Sequence, residues 1–163
     1  MYRVGDKIAH PMHGAGEIVE IIEKIIDGEP RTYYLMKMTT GSMTVMIPCD
    51  QCESVGVRDI ISADEADALL RALPALEVES TQNWNKRYRE NMLKIKSGDL
   101  YQVAEVVKSL YMRDLQRCLS TGERKIFSSA KQILISEIML AKHASYEEIE
   151  HMVGEGLIDS NDK

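Results

Sequence analysis

Two periodicities divide the chain. Over the first 60 residues the apolar positions fall in short runs, DKIAH, GEIVEIIEKII, TYYLMKM and SMTVMIP, rich in β-branched, aromatic and methionine side chains. That composition suits half-buried pleated strands. The runs are parted by PMHGAG, DGEPR and TTG, clusters that turn the chain. Within IDGEP, Asp-Gly tolerates positive φ, so a tight hairpin is expected there. Four or five antiparallel strands in so short a span predict a small barrel of the SH3 or Tudor kind. An isolated barrel of this size is marginally stable and is expected to lean on the C-terminal remainder of the chain.

After GVRD the spacing becomes helical. Ser62 with Glu65, Ser120 with Glu123 and Ser145 with Glu148 have the S-x-x-E spacing that satisfies orphan donors at a helix start. Asp99 with Gln102 is a weaker version, and Gly98 just before it marks the end of the preceding helix. Helices are expected near 63–73, 81–97, 100–118, 122–142 and 146–155. Val103, Val106, Val107, Leu110, Leu115 and Leu119 approximate one apolar stripe in the third; Ile126, Phe127, Ala130, Ile133, Leu134, Ile138 and Leu140 do so in the fourth. The tail SNDK is expected to fray. The fold class is therefore α+β: a Tudor-like barrel over 1–60, then a compact bundle of about five helices over 61–163.

Composition changes this picture little. A hydrophobic content of 44% and a charged content of 28% over 163 residues describe a soluble chain able to bury a core. The opening MYRVGDKIAH lacks the apolar core of a signal peptide, and three cysteines fit reduced thiols better than a disulfide framework. A cytoplasmic protein without a membrane span is expected. Charge changes the picture more. The net −6 conceals a central segment, residues 84–131, with 11 Lys/Arg against 5 Asp/Glu. A basic stretch inside an acidic protein can meet a polyanion locally, although lysine and arginine also simply solvate helix surfaces.

Catalytic patterns are missing. No Gly-rich phosphate loop, G-x-S-x-G elbow or H-E-x-x-H is present, so neither enzyme activity nor a cofactor is expected. One metal-like set needs weighing: His10-x-x-His13 and Cys49-x-x-Cys52 together offer two imidazoles and two thiols. Pro11 and Gly14 already explain the first pair as part of a turn, and strand-end cysteines are commonly small hydrophobes. No metal site is assigned.

The stretch NWNKRYRENMLKIK has the strongest signal. It places the sole tryptophan, Trp84, among Lys86, Arg87, Arg89, Lys94 and Lys96. Trp84, Tyr88, Met92 and Ile95 recur at helical spacing, so Trp84 could cap the core near a helix N-terminus. Alternatively, a ring at the edge of a basic surface can wedge against a base step or stack on a base while cations hold phosphates.

This stretch, followed by VAEVVKSLYMRDLQRCLSTGERKIF and AKQILISEIMLAK, resembles the C-terminal part of the CarD/CdnL family of bacterial transcription regulators. YRVGDKIAHPMHGAGEIVEI, with YYLMKM, TVMIP and GVRDII, is similar to that family's N-terminal part, which is shared with the polymerase-interacting domain of transcription-repair coupling factors. The likeness spans roughly residues 2–142. It implies a Tudor-like domain that docks on the β subunit of RNA polymerase and a helical domain that contacts promoter DNA, with little sequence specificity, at the upstream edge of the melted bubble. By the same resemblance, Trp84 is the minor-groove wedge, Lys86, Arg87, Arg89 and Arg124 contact phosphates, and Lys24, Val45 and Met46 lie on the polymerase surface. Two departures stand out: Met46 replaces a frequent arginine, and His10 a frequent tyrosine. The expected partners are polymerase and promoter DNA, with the chain acting as a monomer associated with the nucleoid through polymerase. The rival readings are a protein-only adaptor without DNA contact and, more remotely, a metal-dependent enzyme built on the His and Cys pairs.

Overall fold

At the Asp-Gly turn both residues take positive φ, 52° at Asp27 and 80° at Gly28. This geometry twists the flanking strands correctly. It joins β2 (Gly14–Ile26) to β3 (Glu29–Met38), with Ile26 opposite Glu29. The computed structural model describes residues 1–78 and 83–161. β1 (Lys7–His10), β4 (Thr44–Pro48) and β5 (Arg58–Asp59) complete a five-stranded sheet in the order β4-β3-β2-β1-β5, with each adjacent pair antiparallel. A 3₁₀ turn at Cys49–Gln51 and the short α1 (Cys52–Val55) carry the chain from the β4 edge to the β5 edge. Ile8, Ile18, Tyr34, Met36, Ile47 and Val57 fill the interior of this Tudor-like part.

The expected antiparallel strands are present, but their burial is uneven. A bulge between Ile18 and Glu20 shifts the register of β2 against β3, and such an insertion bends and twists a strand. Before the bulge β2 is largely buried; beyond it the hairpin extends into solvent, with Ile25 76% exposed.

Among the described residues five further α-helices follow, α2 (Ala63–Ala72), α3 (Trp84–Lys96), α4 (Leu100–Gln116), α5 (Thr121–Lys142) and α6 (Tyr146–Asn161), with a 3₁₀ turn at Leu73–Ala75 after α2. Their starts are capped largely as the S-x-x-E spacings foretell. Ser62 and Glu65 form the complete reciprocal box, Ser120 accepts from the Glu123 N–H, and Ser145 accepts from the Glu148 N–H. Asp99 caps α4 by accepting from the Tyr101 N–H. The helix expected from 81 instead starts at Trp84, because Asn83 is extended and its side chain accepts from the Lys86 N–H at 3.0 Å. Thr81 lies outside the described residues. Of the tail SNDK, Ser160 and Asn161 close α6, and the last two residues lie outside the described set.

In α4 the stripe holds at Val103, Val106, Val107 and Leu110, while Leu115 is exposed because the helix runs past the bundle there. α5 is buried nearly all round over residues 133–138, since the sheet lies against it as well as the helices. At this seam the Ala15 N–H donates to Ser136 Oγ at 2.9 Å. Gly14 is needed here: its φ is +93°, and a Cβ would fall 2.7 Å from Ser136 Oγ. Glu137, 1% exposed, receives both Arg58 guanidinium nitrogens at 2.6 and 2.8 Å and the Ile61 N–H at 2.9 Å. Arg58 also donates to the Gly98 carbonyl at 2.7 Å, which ties β5 to the α3–α4 junction. The sheet thus does lean on the bundle. Among the described residues no helix is long and apolar enough to cross a membrane.

Candidate nucleic-acid interface

Trp84 is the first residue of α3, and its indole is 42% exposed. It is half-exposed rather than sealed in the bundle. The reason lies in where α3 ends. Its inward face is Arg87, Asn91 and Ile95; Trp84 continues that face one turn earlier, beside the start of α5. The indole stacks on Tyr88 with ring centroids 5.3 Å apart and planes 22° apart. Its Nε1–H donates to Ser120 Oγ, the cap of α5, at 3.2 Å. The N-termini of two helices therefore meet at this ring, and helix N-termini favour anions.

The cations divide into two groups. Arg87 is only 7% exposed and pairs through Nε with Glu123 Oε2 at 3.3 Å; Glu123 is 3% exposed and also lies 3.5 Å from Arg113 Nε. The expectation that Arg87 contacts phosphate from the surface is corrected by this burial. Its side chain points into the bundle, where a charge persists only if paired. Lys86 and Arg124 are largely exposed and make only loose contacts, each at 3.9 Å, to Glu90 and Asp114. Such pairs are weak in water and leave both cations able to meet another anion. Arg89 is exposed as well. Trp84, Lys86, Tyr88 and Arg89 thus occupy the first two turns of α3, and Arg124 the first turn of α5, the two helix starts that the Trp84–Ser120 bond joins.

The metal-like set is not assembled. No group of three or more His, Cys, Asp or Glu among the described residues could hold an ion. His10 and His13 sit together at the β1–β2 turn, rings 4.6 Å apart. Burial first, then the neighbouring His13, lower the His10 pKa to about 4. Cys49 and Cys52 lie by Tyr34 instead, and burial pushes both thiols up, the opposite of what a reactive cysteine needs.

In the sheet, Lys24 is exposed on β2 opposite Arg31. On β4, Val45 is half-buried and pairs with Met36, while Met46 is 40% exposed and pairs with Leu35. Sequence reasoning missed the apolar side chains exposed near them, Ile21 at 43% and Ile25 at 76%. It read their run as a strand without seeing that the strand outruns its core. It also missed Ser120 and Glu123 as neighbours of Trp84. Their S-x-x-E spacing was legible as a helix start, but nothing local ties it to a tryptophan 36 residues earlier.

A small antiparallel sheet with a protruding hairpin is thus joined to a helical bundle whose α3 starts with an exposed aromatic pair and neighbouring cations. Residues 2–61 match the family model for the CarD-like/TRCF RID domain and residues 68–154 that for the CarD C-terminal domain. The chain is 34% identical over 149 residues to a Bacillus subtilis (strain 168) protein named "Putative transcription factor YdeB", covering 91% of this chain and 97% of that one. The chain belongs to the CarD-like family of bacterial transcription regulators, which carries an RNA polymerase-interacting domain.

Proposed function

We propose that the protein docks on the β subunit of RNA polymerase through the β2–β3 hairpin and β4, with Lys24, Val45 and Met46 at the contact, and stabilises the open promoter complex. Trp84 is the wedge or stacking ring at the upstream edge of the bubble; Lys86, Arg89 and Arg124 hold phosphates around it. The observation that carries this reading is a half-exposed indole, stacked on Tyr88 where two helices begin, with exposed cations in the first two turns of those helices. Polymerase supplies localisation, so the bundle acts at high effective concentration and needs little affinity of its own. This reconciles DNA contact with a net charge of −6. The ring shifts the closed–open equilibrium only by its differential affinity for the two states. A stacking contact of about 1–3 kcal/mol moves it roughly five- to a hundred-fold. Phosphate contacts and a minor-groove wedge read little of the base code, so promoter preference is expected to be slight.

The test is Trp84→Ala in a promoter-complex lifetime assay, beside a pull-down with core polymerase. The variant is expected to fold, to recover the β subunit as the native chain does, and to lose most of the added lifetime. Native lifetimes with the variant, or failure of the native chain to recover β, would end the proposal.

A further inference from the structure

We propose that Ser120 is the positioning residue of Trp84: its hydroxyl sets the direction of the indole, and a buried charge group beneath keeps that hydroxyl in place. This rests on reading Trp84 as the DNA-contacting ring and adds what aims it.

A tryptophan on the first turn of an exposed helix has no core to select its rotamer. Two apolar restraints act on this one. Tyr88 stacks on it, and Gly122 lies so close that a Cβ there would be 3.5 Å from the indole Cζ2. Neither distinguishes the nitrogen edge of the ring from the others. The Nε1–H to Ser120 Oγ bond does. The hydroxyl that accepts it is not a free rotor. A serine hydroxyl has one proton and two lone pairs. Here Oγ accepts from the Glu123 N–H at 3.2 Å and donates to Glu123 Oε1 at 3.3 Å, which leaves one lone pair for the indole. Glu123 is anchored in turn, with Oε2 against Arg87 and Arg113. The orientation of an exposed ring thereby depends on the nearly buried charges of Glu123 and Arg87, with the partly exposed Arg113 beside them. Arg87 belongs to this support.

Trp84 is the chain's one tryptophan, so its fluorescence reports the ring directly in the polymerase-free protein. Ser120→Gly removes the acceptor while remaining a serviceable helix cap, and Ser120→Thr restores the hydroxyl. The glycine variant is expected to lower the indole's fluorescence anisotropy and to shorten open-complex lifetime about two- to tenfold, the range of a single hydrogen bond; the threonine variant is expected to match the native protein in both. In a Trp84→Phe background, which has no N–H to donate, Ser120→Gly is expected to add nothing. Native-like anisotropy in Ser120→Gly, or an equal loss of lifetime in the phenylalanine background, overturns the assignment. If Trp84→Ala leaves open complexes unchanged, the DNA-contact reading falls separately, and the anisotropy alone decides the role of Ser120.

Discussion

Helix α5 carries two buried glutamates that meet arginines, and they serve different ends. Near its middle, Glu137 takes two short bonds from Arg58 and a third from the Ile61 N–H, joining sheet to bundle. In its first turn, Glu123 faces Arg87 and Arg113 at 3.3 and 3.5 Å and receives the Ser120 hydroxyl, under an exposed tryptophan. The first group has its carboxylate buried and its arginine a third exposed, and it fixes architecture. The second is longer-reaching, stands one bond below the surface, and connects the interior to a ring that solvent can touch. The same chemistry can hold two layers together or hold up a working side chain, and what lies over it decides which.

The contrast can be broken most forcefully at the seam. Glu137→Ala leaves the Arg58 guanidinium and the Ile61 N–H without their partner, and is expected to cost about 3–5 kcal/mol in urea unfolding. A loss under about 1 kcal/mol would show that apolar packing alone holds the layers. At the second group, Arg87→Ala is expected to cost about 2–3 kcal/mol of folding stability, since Arg113 still accompanies Glu123. A fully stable variant with weakened DNA engagement would return Arg87 to the surface role the sequence suggested.

Arg89 sharpens the comparison from outside. Arg89→Glu is expected to leave unfolding within about 0.5 kcal/mol of native and to reduce the salt slope of DNA engagement with polymerase present by about one unit for the lost cation. An unchanged slope across a salt titration excludes a phosphate contact there. The smallest effect is expected at His10, whose Nδ1 accepts the Met12 N–H at 3.1 Å. Because its pKa lies at about 4, below the ordinary 6.5, the neutral ring stabilises the fold above pH 6.5. That contribution fades as pH falls from 6.5 towards 4. Melting temperatures across this window should fall less steeply for His10→Gln; equal slopes would assign the acid sensitivity elsewhere.

Arg87 and Arg89 show how far the chain could be read unaided. They stand two residues apart in one basic stretch, with the same side chain and the same prior claim on phosphate. One is nearly sealed and the other exposed, because α3 buries residues 87, 91 and 95 and leaves 89 on its outer side. The stripe was expected at 84, 88, 92 and 95, whereas the buried face runs through 87, 91 and 95, and Arg87 finds its partner Glu123 36 residues away. The hairpin is a similar case: a run rich in β-branched residues identified strand β2, but the bulge after Ile18 and the end of the underlying core determine that Ile21 and Ile25 face solvent.

By itself the sequence determined whatever neighbouring residues settle between themselves. The Asp27–Gly28 turn, the serine caps at 62, 120 and 145, the break at Gly98 and the change from strand to helix spacing all arise from backbone preferences acting over a few residues. Only the tertiary structure decided which cation is buried inside, which apolar side chains stay outside, and that Ser120 meets Trp84. Those outcomes depend on desolvation and on partners brought together across long loops, and a charge or a ring takes its role from whatever the fold places next to it.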